Sequence, residues 1–232
     1  RTLLLLSAHA ESFLDQGRLR LLDRWFQSLP AALLRQHPRL RHLSLWAACF
    51  TRGPIETRAL LDAGEPSPSA AAPDTASEHL SLRAMLLALQ EHYAQAHAVG
   101  LQALAATPSD LPFADSALIN LLANISSILG IPEESRKLLD MARSRFGNSA
   151  FNRMYAESLE GMLDLFEGRM RQASARFRIA VEATHLTTFN QSHGNAWAGV
   201  LHACALYEAN KLDKAEHLLS IYLSMARDVG LP

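Results

Sequence analysis

An all-α fold, a right-handed superhelical α-solenoid of antiparallel helix pairs, follows from three properties of this chain. Ala and Leu dominate its composition while β-branched residues are sparse, which favours helix over strand. Helical periodicity runs nearly throughout, and no strand alternation interrupts it. A small residue also recurs at Ala59, Ala96, Ser135, Ala173 and Ala215, at steps of 37, 39, 38 and 42 residues. Repetition at that period is the signature of stacked helix pairs. The 232 residues, 49% hydrophobic and 19% charged, suffice for one continuous array over 1–232 with a substantial core.

The elements follow from their punctuation. Leu3 to Gln16 forms a first helix, Gly17 the turn, and Leu19 to Leu29 its partner, which Pro30 ends. After Pro38, Leu40 to Thr51 leads through Arg52-Gly53-Pro54 into a helix that Pro54 opens and Gly64 ends. Residues 65–77, EPSPSAAAPDTAS, carry no periodicity and read as a flexible loop within the array. Ser77 followed by Glu78 reads as the cap of the next helix, which extends to Gln90. Its partner spans Tyr93 to Ala106. Phe113 to Leu129 and Glu133 to Phe146 are divided by Gly130-Ile131-Pro132 and closed by Gly147-Asn148. Arg153 to Glu167 and Met170 to Ala183 flank Gly168, and Asn195 to Ala209 and Leu212 to Val229 flank Asn210-Lys211.

Packing positions follow the same register. In GMLDLFEGRMRQASARFRIA, Gly161, Ala173 and Ala180 are small where two helices of a pair would meet, with Phe177 between the alanines. Ala10 with Phe13 and Ala47 with Phe50 mark the earlier pairs. Ala103, Ala142 and Ala180 repeat a small position seven residues after Ala96, Ser135 and Ala173. The period is slightly longer than the 34 residues of a minimal tetratricopeptide repeat.

Charge and cysteine content narrow the function classes. A formal net charge of -1 and a pI near 6.9 provide no long-range field for DNA or an anionic membrane. Leu3 to Leu6 is too short a run for a signal-peptide core or a membrane span. Cys49 and Cys204 read as two reduced, buried thiols of a cytoplasmic protein. The chain opens without Met and inside a helix, as a fragment of a longer protein would.

Candidate binding residues lie on the first helix of each pair, the helix that lines the concave face of such an array. Asn120, Asn124 and Ser127 share one helical face, with Tyr155, Ser158 and Met162 on the next first helix. Trp197, Cys204 and Tyr207 continue the stripe on the last. Amides, hydroxyls and rings together suit a small polar or sugar-like ligand. The simpler reading of the same residues is ordinary groove positions or inter-repeat hydrogen bonds. Trp25, Trp46 and Trp197 read as core anchors rather than ligand platforms, because helix packing alone explains large apolar side chains at this spacing.

No catalytic, metal or nucleotide motif stands out. His92 and His97 are five residues apart, not the four that stack two imidazoles on a helix face. His37 with His42 and His185 with His193 lack Cys or carboxylate companions at ligand spacing and read as surface or capping residues. Asn124-Ile125-Ser126 matches a glycosylation sequon but falls within a helix. Ser7, His9 and Glu11 make no nucleophile arrangement, and no G-x-S-x-G or G-x-x-x-x-G-K-[ST] segment occurs. No basic recognition helix is evident. An enzyme is therefore not expected.

Several phrases resemble the repeat region of the MalT-like, large LuxR-type bacterial transcriptional regulators. They are Trp25-Phe26 with Leu29-Pro30, Leu33-Leu34, Pro38-Arg39-Leu40 and Trp46, the segment from Leu206 to Glu216, and the closing Val229-Gly230-Leu231-Pro232. The resemblance spans essentially the whole chain. It implies an inducer-sensing domain set between an ATP-dependent oligomerisation module and a C-terminal helix-turn-helix. It also implies that ATP and DNA belong to those other modules, with no cofactor here and with the ATPase module as a partner. The competing expectation is a protein–protein interaction scaffold that takes no small molecule.

Overall fold

The computed structural model describes residues 2–63, 73–106, 111–147, 149–185 and 193–228, with side chains over 3–63, 79–106, 111–147, 149–182 and 196–223. Among these, thirteen helices and no strand are present. They are α1 (Thr2–Asp15), α2 (Leu19–Gln27), α3 (Ala31–Arg35), α4 (Pro38–Thr51), α5 (Pro54–Asp62), α6 (Pro73–Ala88) and α7 (Tyr93–Ala105). Then come α8 (Pro112–Ile128), α9 (Pro132–Phe146), α10 (Ala150–Phe166), α11 (Met170–His185), α12 (His193–Glu208) and α13 (Leu212–Asp228). No helix among the described residues is long and apolar enough to cross a membrane.

The helices pack in neighbouring pairs, most extensively α6 with α7, α8 with α9, α10 with α11 and α12 with α13. The alternate helices α4, α6, α8, α10 and α12 also touch one another in chain order. One large apolar cluster runs from Leu6 to Ala198, and Ala173, Phe177 and Ala205 form a smaller one.

The turns repeat in atomic detail. Each pair is joined through one left-handed residue: Gly17 (φ 70°), Gly53 (83°), Glu91 (63°), Gly130 (78°), Gly168 (78°) and Asn210 (56°). At five of them the next residue donates its N–H back to the helix it has just left, as Ile131 does to Ser126 O at 2.8 Å and Arg169 to Asp164 O at 2.7 Å. His92 to Leu87 O, Lys211 to Leu206 O and Arg18 to Phe13 O complete the set. These bonds satisfy carbonyls that a helix end leaves open. Gly53 is the exception because Pro54 has no N–H to give. There α5 begins one residue after the left-handed position, whereas the other partner helices begin two after it.

That shortened turn corrects the small-residue register. Ala96, Ser135, Ala173 and Ala215 are buried as expected, but Ala59 is exposed and Thr57 occupies the buried position in α5. Gly161 meets its expectation: a Cβ there would lie 2.6 Å from Phe177 Cε1 on α11.

Other expectations need correction. The short α3 carries no buried residue and so leaves no amphipathic pattern to read. α6 begins at Pro73, inside the segment read as a loop, so Ser77 is helical rather than a cap; residues 64–72 lie outside the described set. α10 begins three residues before Arg153, because Ser149 Oγ accepts from Asn152 N–H and caps the helix. Cys204 is exposed, while Cys49 is buried and its thiol pushed up to about 12 by burial. His42 is buried rather than on the surface, since Trp46 Nε1 donates to its Nε2 at 2.9 Å. The side chains of His185 and His193, and residues 229–232, lie outside the described set.

Candidate ligand cavity

A cavity of about 540 Å³ opens among the alternate helices. Its walls come from the α4–α5 turn (Thr51 to Pro54), the end of α6 (Met85, Ala88, Leu89), Glu91 and Tyr93. The middle of α8 adds Ala117, Asn120, Leu121 and Asn124; α10 adds Phe151, Tyr155 and Leu159; α12 adds Trp197. The volume lies within the range of small-molecule sites, and apolar walls with few polar groups are typical of them.

Rings line one side because α8, α10 and α12 lie side by side. Phe113 meets Phe151 at 4.8 Å between centroids, Phe151 meets Tyr155 at 4.6 Å, and Tyr155 meets Trp197 at 5.4 Å with 31° between planes. Trp46 joins this row edge-on to Phe113 at 5.7 Å. Tyr155 keeps some surface towards the cavity, yet the protein around it pushes its phenol well above the usual value, so it stays neutral.

The amide of Asn120 is locked by a chain of hydrogen bonds. Asn152 donates Nδ2–H to Ala142 O at 3.1 Å and Phe146 O at 3.3 Å, which fixes which way its amide faces. Its Oδ1 then accepts from Ser116 Oγ–H at 3.2 Å and from Asn120 Nδ2–H at 2.7 Å. Asn120 Nδ2 also donates to Ser116 O at 2.9 Å. Flipping Asn120 would set its oxygen against two acceptors. Its Oδ1 is therefore a fixed acceptor, and it is buried without a protein partner. Such an atom costs about 1–3 kcal/mol while unsatisfied. One helical turn on, Asn124 is half-buried on the cavity wall, and its side chain makes no hydrogen bond among the described residues.

Charge enters at the α4–α5 and α6–α7 turns. Arg52 donates to Asp23 at 2.6–3.1 Å and to Glu56 at 3.1 Å, so two carboxylates share its charge. Glu91 is exposed, and its carboxylate makes no ion pair or hydrogen bond among the described residues.

Of the eight residues expected to form a site, the fold brings Asn120, Asn124, Tyr155 and Trp197 onto this wall. It separates the other four. Ser127 is half-buried, with its Oγ unpartnered, but is not on the cavity wall. Ser158 is fully buried between helices, and Met162 packs between the two apolar clusters. Tyr207 is 63% exposed, near the C-terminal end of α12. A stripe read along one helix does not curve with the wall that several helices make. Sequence reading missed Arg52, Glu91, Tyr93 and Phe151. Phe151 stands four residues before Tyr155, at helical spacing, which is a signal that was legible. The other three come from turn ends, where periodicity says nothing.

Elsewhere, Asp164, Glu157 and Glu160 of α10 hold Arg143, Arg169 and Arg176 in an ion network joining α9 to α11. His92 bonds Gln90 O at 2.7 Å and His97 meets Glu134 at 3.2 Å, so the two histidines face different partners. Compared with known proteins, the chain matches no family model, no curated protein and no solved structure.

Proposed function

We propose that this chain is the effector-sensing and signal-coupling repeat domain of a LuxR-type, MalT-like, ATP-dependent transcriptional activator. The recurrence of a left-handed residue at six helix pairs, five of them with the same returning hydrogen bond, supports reading the array as a right-handed solenoid. The observation that carries the functional reading is the cavity itself, walled by rings of α10 and α12 and by the asparagines Asn120 and Asn124 of α8. Because several pairs share that wall, an occupant that prefers one spacing of the pairs shifts the population towards it. In the parent regulator, acting in the cytoplasm, that shift would release an autoinhibitory contact with the ATPase module. ATP and promoter DNA are handled by modules outside this chain, and the chain is not an enzyme.

A second reading, a protein-binding scaffold, rests on a different observation. Ile55, Leu89, Ile128, Ile131, Phe166 and Leu212 are exposed apolar residues at or beside the turns of successive pairs. A thermal-shift screen against sugars, short-chain alcohols, amino acids, aromatic acids and arylalkylamines separates the two, because a ligand bound only by the folded state raises Tm. A dose-dependent rise that Asn124→Ala reduces supports the sensor. Silence from every compound with a well-folded protein refutes it and favours the scaffold.

A further inference from the structure

The charges and polar atoms around the cavity restrict the chemistry of its occupant. Asn120 Oδ1 is an acceptor that cannot turn into a donor, because its amide is held through Asn152 by two backbone carbonyls. Only a hydrogen-bond donor satisfies it. Arg52, the cation on the wall, is committed to Asp23 and Glu56, so it offers little to an anion. Glu91, exposed on the lining, makes no ion pair or hydrogen bond among the described residues, and it is negative. The remaining walls are apolar and aromatic, with the Tyr155 and Trp197 rings packed 5.4 Å apart and tilted by 31°.

The Glu91 position adds an independent observation. Five of the six pair-joining turns fill their left-handed position with Gly or Asn, residues that tolerate it. The remaining turn, beside this cavity, holds a glutamate at φ 63°. An L side chain in that region carries strain, and strain of this kind concentrates at ligand sites.

We propose that the cavity binds an amine: a flat apolar or aromatic body bearing a cationic, hydrogen-bond-donating head group. The body lies against Tyr155 and Trp197, where the ring faces also attract a cation. The ammonium donates to Asn124 Oδ1 on the wall, or to Asn120 Oδ1 once a small side-chain shift uncovers that buried atom, and Glu91 attracts it electrostatically. Carboxylate and phosphate ligands are disfavoured by the same groups. This inference rests on reading the cavity as a ligand site, and it adds the ligand's charge and hydrogen-bonding sense.

Three probes with one skeleton test it: tryptamine, tryptophol and indole-3-propionate, titrated by thermal shift against the full 232-residue chain. Tryptamine is expected to raise Tm with dose, tryptophol to bind more weakly, and indole-3-propionate to give no rise. Glu91→Gln, an exposed substitution that leaves the core intact, is expected to weaken tryptamine about twofold to fivefold, the scale of a solvent-exposed charge pair. It should leave tryptophol unchanged. Asn120→Ala is expected to weaken both tryptamine and tryptophol. Equal binding of all three probes, or equal loss of tryptamine and tryptophol in Glu91→Gln, overturns the amine assignment while ligand binding stands. Binding of a sugar or an aromatic acid with silence from tryptamine does the same. Silence from these probes and from the whole screen overturns both.

Discussion

Gly161 and His42 show how single residues set the stability of this array. Gly161 lets α10 and α11 approach until the Phe177 ring covers its Cα, and an added methyl would sit 2.6 Å from Cε1 and 2.9 Å from Cδ1 of that ring. Gly161→Ala should therefore destabilise the protein by about 1–3 kcal/mol in urea, the cost of overpacking. Phe177→Leu in the same chain should recover part of the loss, and a full-sized loss in the double variant would refute steric contact as the cause. His42 is held neutral, its pKa lowered to about 3 by burial first and then by His79 and Arg41. The unfolded chain binds a proton near the ordinary value of 6.5, so the folded state resists protonation. His42 thus contributes stability that is fully present above about pH 6.5 and is lost as pH falls towards 3. Between pH 7 and pH 5 this one group should cost about 2 kcal/mol. Urea titrations at both values should show that loss in the native chain but not in His42→Gln, which keeps an acceptor for Trp46. An equal loss in both would assign the pH dependence elsewhere.

The helices themselves show what the sequence carried and what it did not. Gly17, Gly53, Gly130, Gly168 and Asn210 announce their turns because they are residues that accept positive φ. Glu91 carries no such signal, so the strain at the α6–α7 turn was invisible. Pro and Ser in residues 65–77 hid the start of α6, although proline is at home in the first turn of a helix. The start of α10 was lost for a tertiary reason as well as a local one. Ser149 caps Asn152 N–H, and its hydroxyl donates to Asp15 Oδ1 on α1 at 2.9 Å, a partner 134 residues away. Ser149→Ala removes both bonds and should cost about 1 kcal/mol or somewhat more than a simple cap. Asp15→Ala alone should cost less, because the cap survives it. Denaturant midpoints of the two variants check the order, and a larger loss in Asp15→Ala would reverse the account. Half of the candidate site was legible for a related reason. The face bearing Asn120 and Asn124 is a property of one helix, whereas Arg52 and Glu91 reach the wall only through the packing of three pairs.

Across the whole molecule, contacts exceed simple neighbour-to-neighbour stacking. α1 reaches α8, where Phe113 N–H points to Glu11 Oε1 at 3.5 Å, and it also reaches the cap of α10 through Asp15. The apolar cluster is continuous from α1 to α12, and the cavity lies within that span, bordered by α4, α6, α8, α10 and α12. An occupant there would touch most of the alternate row at once, which is the property the proposed sensor needs to report on binding at a distance.

The most direct measurement fills the cavity from within. Ala88 is half-buried at the end of α6 and faces the space, so Ala88→Phe places a ring where a ligand would lie. Calorimetric titration follows the best compound from the screen into the native chain and into Ala88→Phe. Saturable binding with a negative heat-capacity change is expected in the native chain. No binding is expected in Ala88→Phe, whose far-UV circular dichroism stays helical. Undiminished binding in the filled variant would contradict this and place the ligand elsewhere on the molecule.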